Sequence, residues 1–191
     1  MRYNRLTAIC VPILLLLSGC IFSPKRGTGG GPPRPKYEPL ATPENVLIDL
    51  SRAYSSKDSN EVKLLYHNDY TGTTIDQSNP LSILHFDFTK ADEVGHVAGL
   101  ARNIAVFFVD LELSPLLATL KLRYHDAGDP PGIETVQRPI TRLAVYDDQN
   151  RWEVPLDKDY IEFKFIAKTP DSSSLTDTTW QIYKFTETFA P

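Results

Sequence analysis

The side chains best spaced for chemistry are a histidine and an aspartate two residues apart, His85 and Asp87. Residues i and i+2 of a β-strand share one face, so the imidazole could orient the carboxylate, or both could bind a metal ion. The same alternation directs the neighbouring apolar residues, Leu84, Phe86 and Phe88, to the core and this pair to solvent. We therefore expect a solvated pair rather than a catalytic or metal site.

A second pair, His67 and Asp69, lies where we predict the end of a helix. If the protein is an enzyme, these are the residues we expect to be catalytic, with Asp69 as the base at the mouth of a cavity and His67 as its neighbour. Helix capping and turn formation explain the same two residues equally well. The remaining histidines, His96 and His125, are predicted to be surface residues.

Longer motifs of hydrolytic or metal-dependent chemistry are absent from the sequence. There is no His-Glu-x-x-His, no Gly-x-Ser-x-Gly and no EF-hand loop. The glycine run at residues 27–31 lacks the flanking strand, helix and Lys-Ser/Thr ending of a phosphate loop. A formal net charge of −4 provides no basic surface for nucleic acid. We expect no metal, no cofactor and no nucleic-acid partner, and a non-enzymatic protein is favoured.

The N-terminus has the pattern of an export signal. Arg2 and Arg5 precede an apolar run over residues 6–17, which is too short to cross a bilayer core of ~30 Å. The sequence Leu17-Ser18-Gly19-Cys20 follows, and it resembles the lipobox of bacterial lipoproteins. That resemblance implies that the Cys20 thiol is diacylated and that residues 1–19 are removed by cleavage before Cys20. The amino group exposed on Cys20 would then be acylated. A plain cleaved signal, or a membrane anchor with an incidental cysteine, is the alternative.

The residue after the lipidated cysteine bears on localisation. Ile21 stands there rather than aspartate, and by analogy with lipoprotein sorting in two-membrane bacteria this implies the outer membrane, facing the periplasm. Cys10 would leave with the signal and Cys20 would carry lipid. The exported domain then has no thiol for a disulfide or for cysteine catalysis, so its core must stabilise it unaided.

Composition divides the remaining chain into a linker and one domain. Residues 20–41 are rich in Pro, Gly and basic side chains, which is typical of a linker. Thr42, Pro43 and Glu44 then provide an N-cap, a first-turn proline and a first-turn acid, so a helix and the folded domain, residues 42–191, are predicted to begin there.

Hydrophobic spacing predicts helices first and strands later. Val46, Leu47 and Leu50 recur at helical spacing in a helix to about Ser56. A second helix is predicted after Asp58 as far as residue 69, and a third over residues 90–103, where Gly95 and Gly99 would permit a close approach by another element. Strands are predicted at 84–88, 104–113, 117–125, 138–147, 152–166 with a break at Pro155, and 179–188. This order predicts an α+β domain with its N-terminal helices packed in a curved antiparallel sheet.

Several segments then resemble NTF2-like domains of the cystatin-like fold found in bacterial lipoproteins. They are Thr42-Pro43-Glu44-Asn45-Val46-Leu47, Ala53-Tyr54, Asp58, Leu64-Leu65, Asp69-Tyr70 and Trp180-Gln181-Ile182-Tyr183-Lys184-Phe185. The resemblance covers about residues 42–189 and implies a cone formed by a bent sheet around the first helix. The superfamily contains ketosteroid-isomerase-like and SnoaL-like enzymes as well as members that only bind or assemble, so it leaves activity open.

Aromatic residues are concentrated near the C-terminus: Trp152, Tyr160, Phe163, Phe165, Trp180, Tyr183 and Phe185. They could line a pocket for an apolar ligand, or form core and a dimer interface. We expect a membrane-tethered lipoprotein with a non-catalytic binding or assembly domain. Its partner would be a second copy, another envelope protein or a small apolar ligand. The alternative is a SnoaL-like or ketosteroid-isomerase-like enzyme acting on a small apolar molecule.

Overall fold

A computed structural model describes residues 36–77, 79, 81–115, 117, 123–124, 126–148, 150–156, 159–168 and 178–189. The predicted export signal, Cys20 and most of the predicted linker lie outside the described residues, as do His125 and much of the strand predicted at 117–125.

Helix α1 (Pro43–Ser56) begins where the sequence predicts. Thr42 is its N-cap, and its hydroxyl accepts a hydrogen bond from the Asn45 amide at 3.2 Å. The helix ends at Lys57, which adopts the left-handed conformation with φ 55°. Val46 and Leu47 are fully buried, which confirms the predicted apolar face of this helix.

Helix α2 (Ser59–Leu65) is shorter than predicted. Asp58 caps it by accepting hydrogen bonds from the amides of Asn60 and Glu61. The chain continues directly into strand β1 (Tyr66–Asp76), so the helix predicted to reach residue 69 is wrong beyond Leu65. The physical reason is tertiary, because Tyr66 pairs with Ile182 of β9, and from Thr71 onward β1 is paired with β9 on one side and β2 on the other. That pairing overrides local preference.

Helix α3 (Lys90–Arg102) confirms the third predicted helix. A capping box starts it: the Asp92 amide donates to the Thr89 hydroxyl, and the Asp92 carboxylate accepts from the Thr89 amide at 2.8 Å. The close approach predicted at Gly95 and Gly99 is wrong, since a Cβ added at either glycine would meet no atom within 4 Å.

The remaining strands form two sheets. They are β2 (Leu84–Thr89), β3 (Val106–Leu113), β4 (Arg123–Tyr124), β5 (Ile133–Gln137), β6 (Ile140–Asp147), β7 (Arg151–Pro155), β8 (Tyr160–Lys168) and β9 (Thr179–Phe189). One sheet has the order β2-β1-β9-β8-β5-β4 and the other β3-β6-β7. Strands β1 and β9 are parallel, so the sheet predicted to be antiparallel is mixed, while the α+β class is confirmed. Strands β1 and β5 were not predicted.

The core joins both sheets to the helices. Fully buried side chains of α1, β3, β8 and β9 belong to one apolar cluster, which includes Leu47, Val109, Phe165 and Ile182. Among the described residues no helix is both long and apolar enough to cross a membrane.

Strand β2 does not bury its apolar face as predicted. Its six side chains are all exposed, with Leu84 and Phe86 each 48 % accessible. The reason is its position at the end of the strand order, because among the described residues its side chains have a neighbouring strand, β1, on one flank alone.

Residues 36–41, predicted as linker, are part of the folded domain. Tyr37 and Leu40 pack against the core, and the Glu38 amide donates to both carboxylate oxygens of Asp49, at 3.0 and 2.9 Å. The Trp180 amide donates to the Leu40 carbonyl at 2.7 Å. The domain therefore begins before Thr42, because a buried carboxylate and strand β9 hold this segment.

Candidate functional site

A cavity of about 900 Å³ opens inside the domain. Helix α1 contributes Leu50 and Tyr54 to its wall, and β8 and β9 contribute Phe163 and Phe185, whose ring centroids are 5.0 Å apart. Apolar side chains of β6 and β7, including Leu143 and Val154, complete much of the lining. Such a concave, mainly apolar space suits an organic ligand of small-molecule size.

Glu93 provides the polar group at one part of this apolar wall. It lies on α3, lines the cavity and accepts a hydrogen bond from the Tyr70 hydroxyl at 2.7 Å. Burial raises the pKa of its carboxyl, and the hydrogen bond from Tyr70 offsets this only in part. Glu93 is thus a carboxyl group whose neutral form is favoured by its surroundings.

Three tyrosines surround this carboxyl. Burial and the Glu93 charge raise the pKa of Tyr54, Tyr66 and Tyr70, so all three remain neutral hydrogen-bond donors at physiological pH. The rings of Tyr66 and Tyr70 meet edge to face, with centroids 4.5 Å apart. Tyr54 and Tyr66 line the cavity, and within the part of the chain that the structure describes neither hydroxyl has a hydrogen-bond partner. We call Tyr54, Tyr66, Tyr70 and Glu93 the tyrosine–glutamate cluster.

A glycine in β1 makes room for this arrangement. Gly72 is buried two residues after Tyr70, on the same face of the strand. A Cβ added at Gly72 would overlap the Tyr70 hydroxyl and lie 3.1 Å from the Tyr70 Cζ atom. The absent side chain therefore lets the Tyr70 ring lie over the strand and reach Glu93.

A second carboxyl faces the same cavity. Glu187 on β9 accepts a hydrogen bond from the Thr74 hydroxyl at 3.0 Å, and burial raises its pKa. Its charge in turn contributes to the raised pKa of Glu93. His96 is exposed, as predicted, and it also lines the cavity beside the Tyr54 ring, where desolvation lowers its pKa. Glu93, Glu187 and His96 are thus biased towards their uncharged forms, whereas the hydrogen bonds from Thr89 lower the pKa of Asp92, which also lines the cavity.

The pair expected to be catalytic if the protein is an enzyme, His67 and Asp69, lies outside the cavity lining. The His67 Nδ1 atom accepts from the Asp69 amide at 3.2 Å and lies 3.8 Å from the Asp69 carboxylate, so the structure brings the two residues together. Neither lines the cavity, and the Asp69 side chain is 83 % exposed. The expected position at a cavity mouth is therefore corrected, because β1 directs Tyr66 and Tyr70 inward instead.

The other predicted pair, His85 and Asp87, is exposed on β2 as expected for solvated side chains. The Asp87 carboxylate accepts from the Thr73 hydroxyl at 2.9 Å and also borders the cavity. Among the described residues, no group of three or more histidine, cysteine, aspartate or glutamate side chains could hold a metal ion.

Sequence reasoning did not identify the tyrosine–glutamate cluster. One signal was available for Glu93, since it lies four residues before Val97 on α3, and residues so spaced share a helix face. Val97 is fully buried, so Glu93 is an acid on the inward face. No comparable signal exists for Tyr66, which falls in the segment predicted as helix, or for Tyr70, which falls in the turn predicted to end that helix.

Of the C-terminal aromatic residues, Phe163 and Phe185 line the cavity, whereas Phe165 is fully buried in the core. Trp152 is 62 % exposed on β7. Some of the C-terminal aromatic residues therefore line the cavity, and others pack in the core or lie exposed.

No protein-family model and no curated protein sequence matches the chain. Solved structures of the NTF2-like fold are similar to it. An NTF2-like superfamily protein from Salmonella enterica is 9% identical with a TM-score of 0.46, covering 74% of this chain and 84% of that one. An NTF2-like protein of unknown function in nutrient uptake from Rhodospirillum rubrum is 15% identical with a TM-score of 0.42, covering 76% and 96%. A hypothetical protein with a ketosteroid isomerase-like fold from Catenulispora acidiphila, in complex with trimethylamine, is 11% identical with a TM-score of 0.40, covering 78% and 87%. The similarity is one of fold alone.

Proposed function

We propose that this chain is a lipid-anchored envelope protein whose domain binds a small, largely apolar molecule in its cavity. The observation that carries the proposal is the cavity of about 900 Å³ with apolar walls and the tyrosine–glutamate cluster. Binding sites of this kind combine apolar surface, which provides affinity, with a few polar groups, which fix orientation.

The lining indicates the chemistry of the ligand. Phe163, Phe185 and Leu143 would contact an apolar body. The hydroxyls of Tyr54 and Tyr66 are neutral donors, so they would hydrogen-bond a carbonyl or hydroxyl oxygen of the ligand. An anionic ligand is disfavoured, because the Asp87 and Asp92 carboxylates line the same space and would repel it.

Binding can be tested with two matched glycine substitutions on α3. Gly95 lines the cavity and Gly99 does not, and a side chain at either position would start in open space. The neutral fluorophore N-phenyl-1-naphthylamine serves as the probe. Gly95→Phe should weaken its binding at least tenfold by filling the cavity, and Gly99→Phe should leave binding unchanged. Equal affinity for the two variants would contradict a ligand in this cavity.

The anchor rests on the residues before the described domain. The charged start, the short apolar run and Leu17-Ser18-Gly19-Cys20 support lipidation of Cys20, and Ile21 supports the outer membrane, facing the periplasm. Replacement of Cys20 by serine should release the protein from the membrane fraction and change its processing. A Cys20→Ser chain that stayed in membranes with unchanged processing would refute the anchor.

An enzyme is the second candidate, and one observation favours it. Glu93 has a raised pKa in an apolar cavity next to neutral phenols, and that combination suits proton transfer to or from a bound molecule. The substrate would again be a small apolar molecule. If the domain is an enzyme, it should convert its bound ligand into a different compound during incubation. Mass spectrometry of the ligand before and after incubation would detect that conversion.

The variants that test this candidate differ in their distance from the cavity. Glu93→Gln should abolish turnover while leaving binding measurable, and Asp69→Asn, at the exposed position first expected to be catalytic, should have no effect. Recovery of every bound ligand unchanged would leave binding as the function. Turnover lost in Asp69→Asn but kept in Glu93→Gln would exclude Glu93 as the acid–base group.

A further inference from the structure

Among the strands that the structure describes, β2 is an open edge, and its composition is unusual for one. It ends the six-stranded order, and all six of its side chains are exposed. Natural edge strands are commonly protected by lysine, proline or a bulge, since their unpaired backbone groups can pair with another chain. Strand β7, at an edge of the other sheet, carries Arg151, Glu153 and Pro155. Strand β2 carries no lysine and no proline, and three of its residues are large and apolar.

The order of residues in β2 is complementary to itself. If two copies pair antiparallel with Phe86 opposite Phe86, then His85 of each copy lies opposite Asp87 of the other. Leu84 likewise lies opposite Phe88. Each imidazole can donate to the facing carboxylate, and the apolar residues meet on the other face. The Thr73 hydroxyl already donates to Asp87 and so holds one of the acceptors in place.

Other registers lack this match. A shift of two residues one way places His85 opposite His85, and a shift the other way places Asp87 opposite Asp87. A shift of one residue places His85 opposite Phe86. Only the register centred on Phe86 satisfies the polar and the apolar face together.

We propose that β2 is a dimerisation edge, where a second copy of this chain pairs antiparallel about Phe86 and joins two six-stranded sheets into one. The arrangement has two-fold symmetry, so each favourable contact occurs twice. Exposed Leu81 and Ile83, just before β2, add apolar surface next to the seam. The proposal does not depend on the cavity ligand, because the pairing uses the outer edge of the strand.

Two single cysteine substitutions in the full chain test the register. Opposed residues of antiparallel strands have Cα atoms about 4.5–5.5 Å apart, within the range of a disulfide. Phe86→Cys should therefore form a covalent dimer under mild oxidation. Leu84 has the same exposure and faces the same way, but its two copies would lie about 13 Å apart along the strands, so Leu84→Cys should give no dimer above the unsubstituted chain.

Exchanging the charged residues of β2 provides an independent test, in which light scattering in detergent solution measures the dimer dissociation constant. His85→Asp places two carboxylates opposite each other at both ends of the seam and should raise the dimer dissociation constant about tenfold. In the double variant His85→Asp with Asp87→His, each new aspartate again lies opposite a histidine of the other copy, so the dimer should be restored. Failure of the double variant to restore it would overturn the proposed register.

The cross-linking experiment also separates the alternatives. Equal cross-linking of Phe86→Cys and Leu84→Cys would show random collision and refute the dimer. A second outcome would point to a lipid surface instead. In it, phospholipid vesicles protect the thiol of the Phe86→Cys variant from thiol reagents, but no covalent dimer forms. The apolar side chains of β2 would then contact lipid, and the dimer would again be refuted.

Discussion

Gly72→Ala should disrupt the tyrosine–glutamate cluster although it adds a single methyl group. The new Cβ would overlap the Tyr70 hydroxyl, so the flexible ring must move and its 2.7 Å hydrogen bond to Glu93 must break. Loss of a partner from a buried polar group costs about 1–3 kcal/mol, and replacing glycine by alanine in a strand returns about 0.5–1 kcal/mol. From the middle of each range, the expected net loss in the free energy of unfolding is about 1 kcal/mol.

The double-mutant cycle with Tyr70→Phe tests the cause of that loss. Phenylalanine removes the overlapped hydroxyl and leaves the Cζ atom, at 3.1 Å from the added methyl group, as the nearest contact. A shift of a few tenths of an ångström relieves that contact, so Gly72→Ala should cost close to nothing in the Tyr70→Phe background. Urea denaturation of a protein comprising residues 36–191 gives all four free energies.

The outcome that would refute this reasoning is additivity. If Gly72→Ala lowers the free energy of unfolding equally in the presence of Tyr70 and in the Tyr70→Phe background, the methyl group acts through the backbone or through Phe88, whose Cβ atom is 3.4 Å away. A carboxyl-carbon NMR titration provides a second readout. Because the Tyr70 hydrogen bond lowers the pKa of Glu93, that pKa should rise in Gly72→Ala and in Tyr70→Phe alike.

Three further predictions concern stability. Leu50→Ala on the buried face of α1 should lower the free energy of unfolding by about 2–5 kcal/mol. The control Leu64→Ala, at a side chain 59 % exposed, should lower it by less than about 0.5 kcal/mol. Equal effects of the two substitutions in urea denaturation would contradict the described core. Asp49→Ala should free the segment around Glu38, whose amide loses both acceptors, and limited proteolysis should then cut there at least tenfold faster while the rest of the domain stays intact. The raised pKa of Glu93 means that its neutral form stabilises the fold, so this contribution is complete below the unfolded-state pKa and is lost as pH rises through the folded-state value. Glu93→Gln should flatten that part of the stability–pH curve measured by thermal unfolding, and an unchanged curve would show that Glu93 is not the group responsible.

Local sequence determined the features that depend on near neighbours. Thr42, Pro43 and Glu44 start α1 because a cap, a fixed φ and a first-turn charge all act within one turn. The spacing of Val46, Leu47 and Leu50 predicted the buried face for the same reason. The Thr89–Asp92 capping box is likewise local.

The candidate cavity depended on contacts between distant parts of the chain. Tyr70 and Glu93 form a hydrogen bond although they are 23 residues apart in the sequence, and Thr74 and Glu187 do so at a separation of 113 residues. Local periodicity carries no information on such pairs, so Asp69 was named as the base if the protein is an enzyme, and Glu93 was missed.

Strand pairing decided the rest. Local composition favoured helix at residues 66–69, but Tyr66 pairs with Ile182 of β9 and the chain from Thr71 pairs with both β9 and β2. This pairing makes the segment the start of β1, in which Tyr66 and Tyr70 are buried. Strand β2 has the alternation of a half-buried strand, yet all six of its side chains are exposed, because in the described part of the chain they have a neighbouring strand on one flank alone. Residue type therefore determined which segments could form helices and strands, whereas the position of each strand in the sheet determined which side chains are buried, because burial depends on what packs against a face.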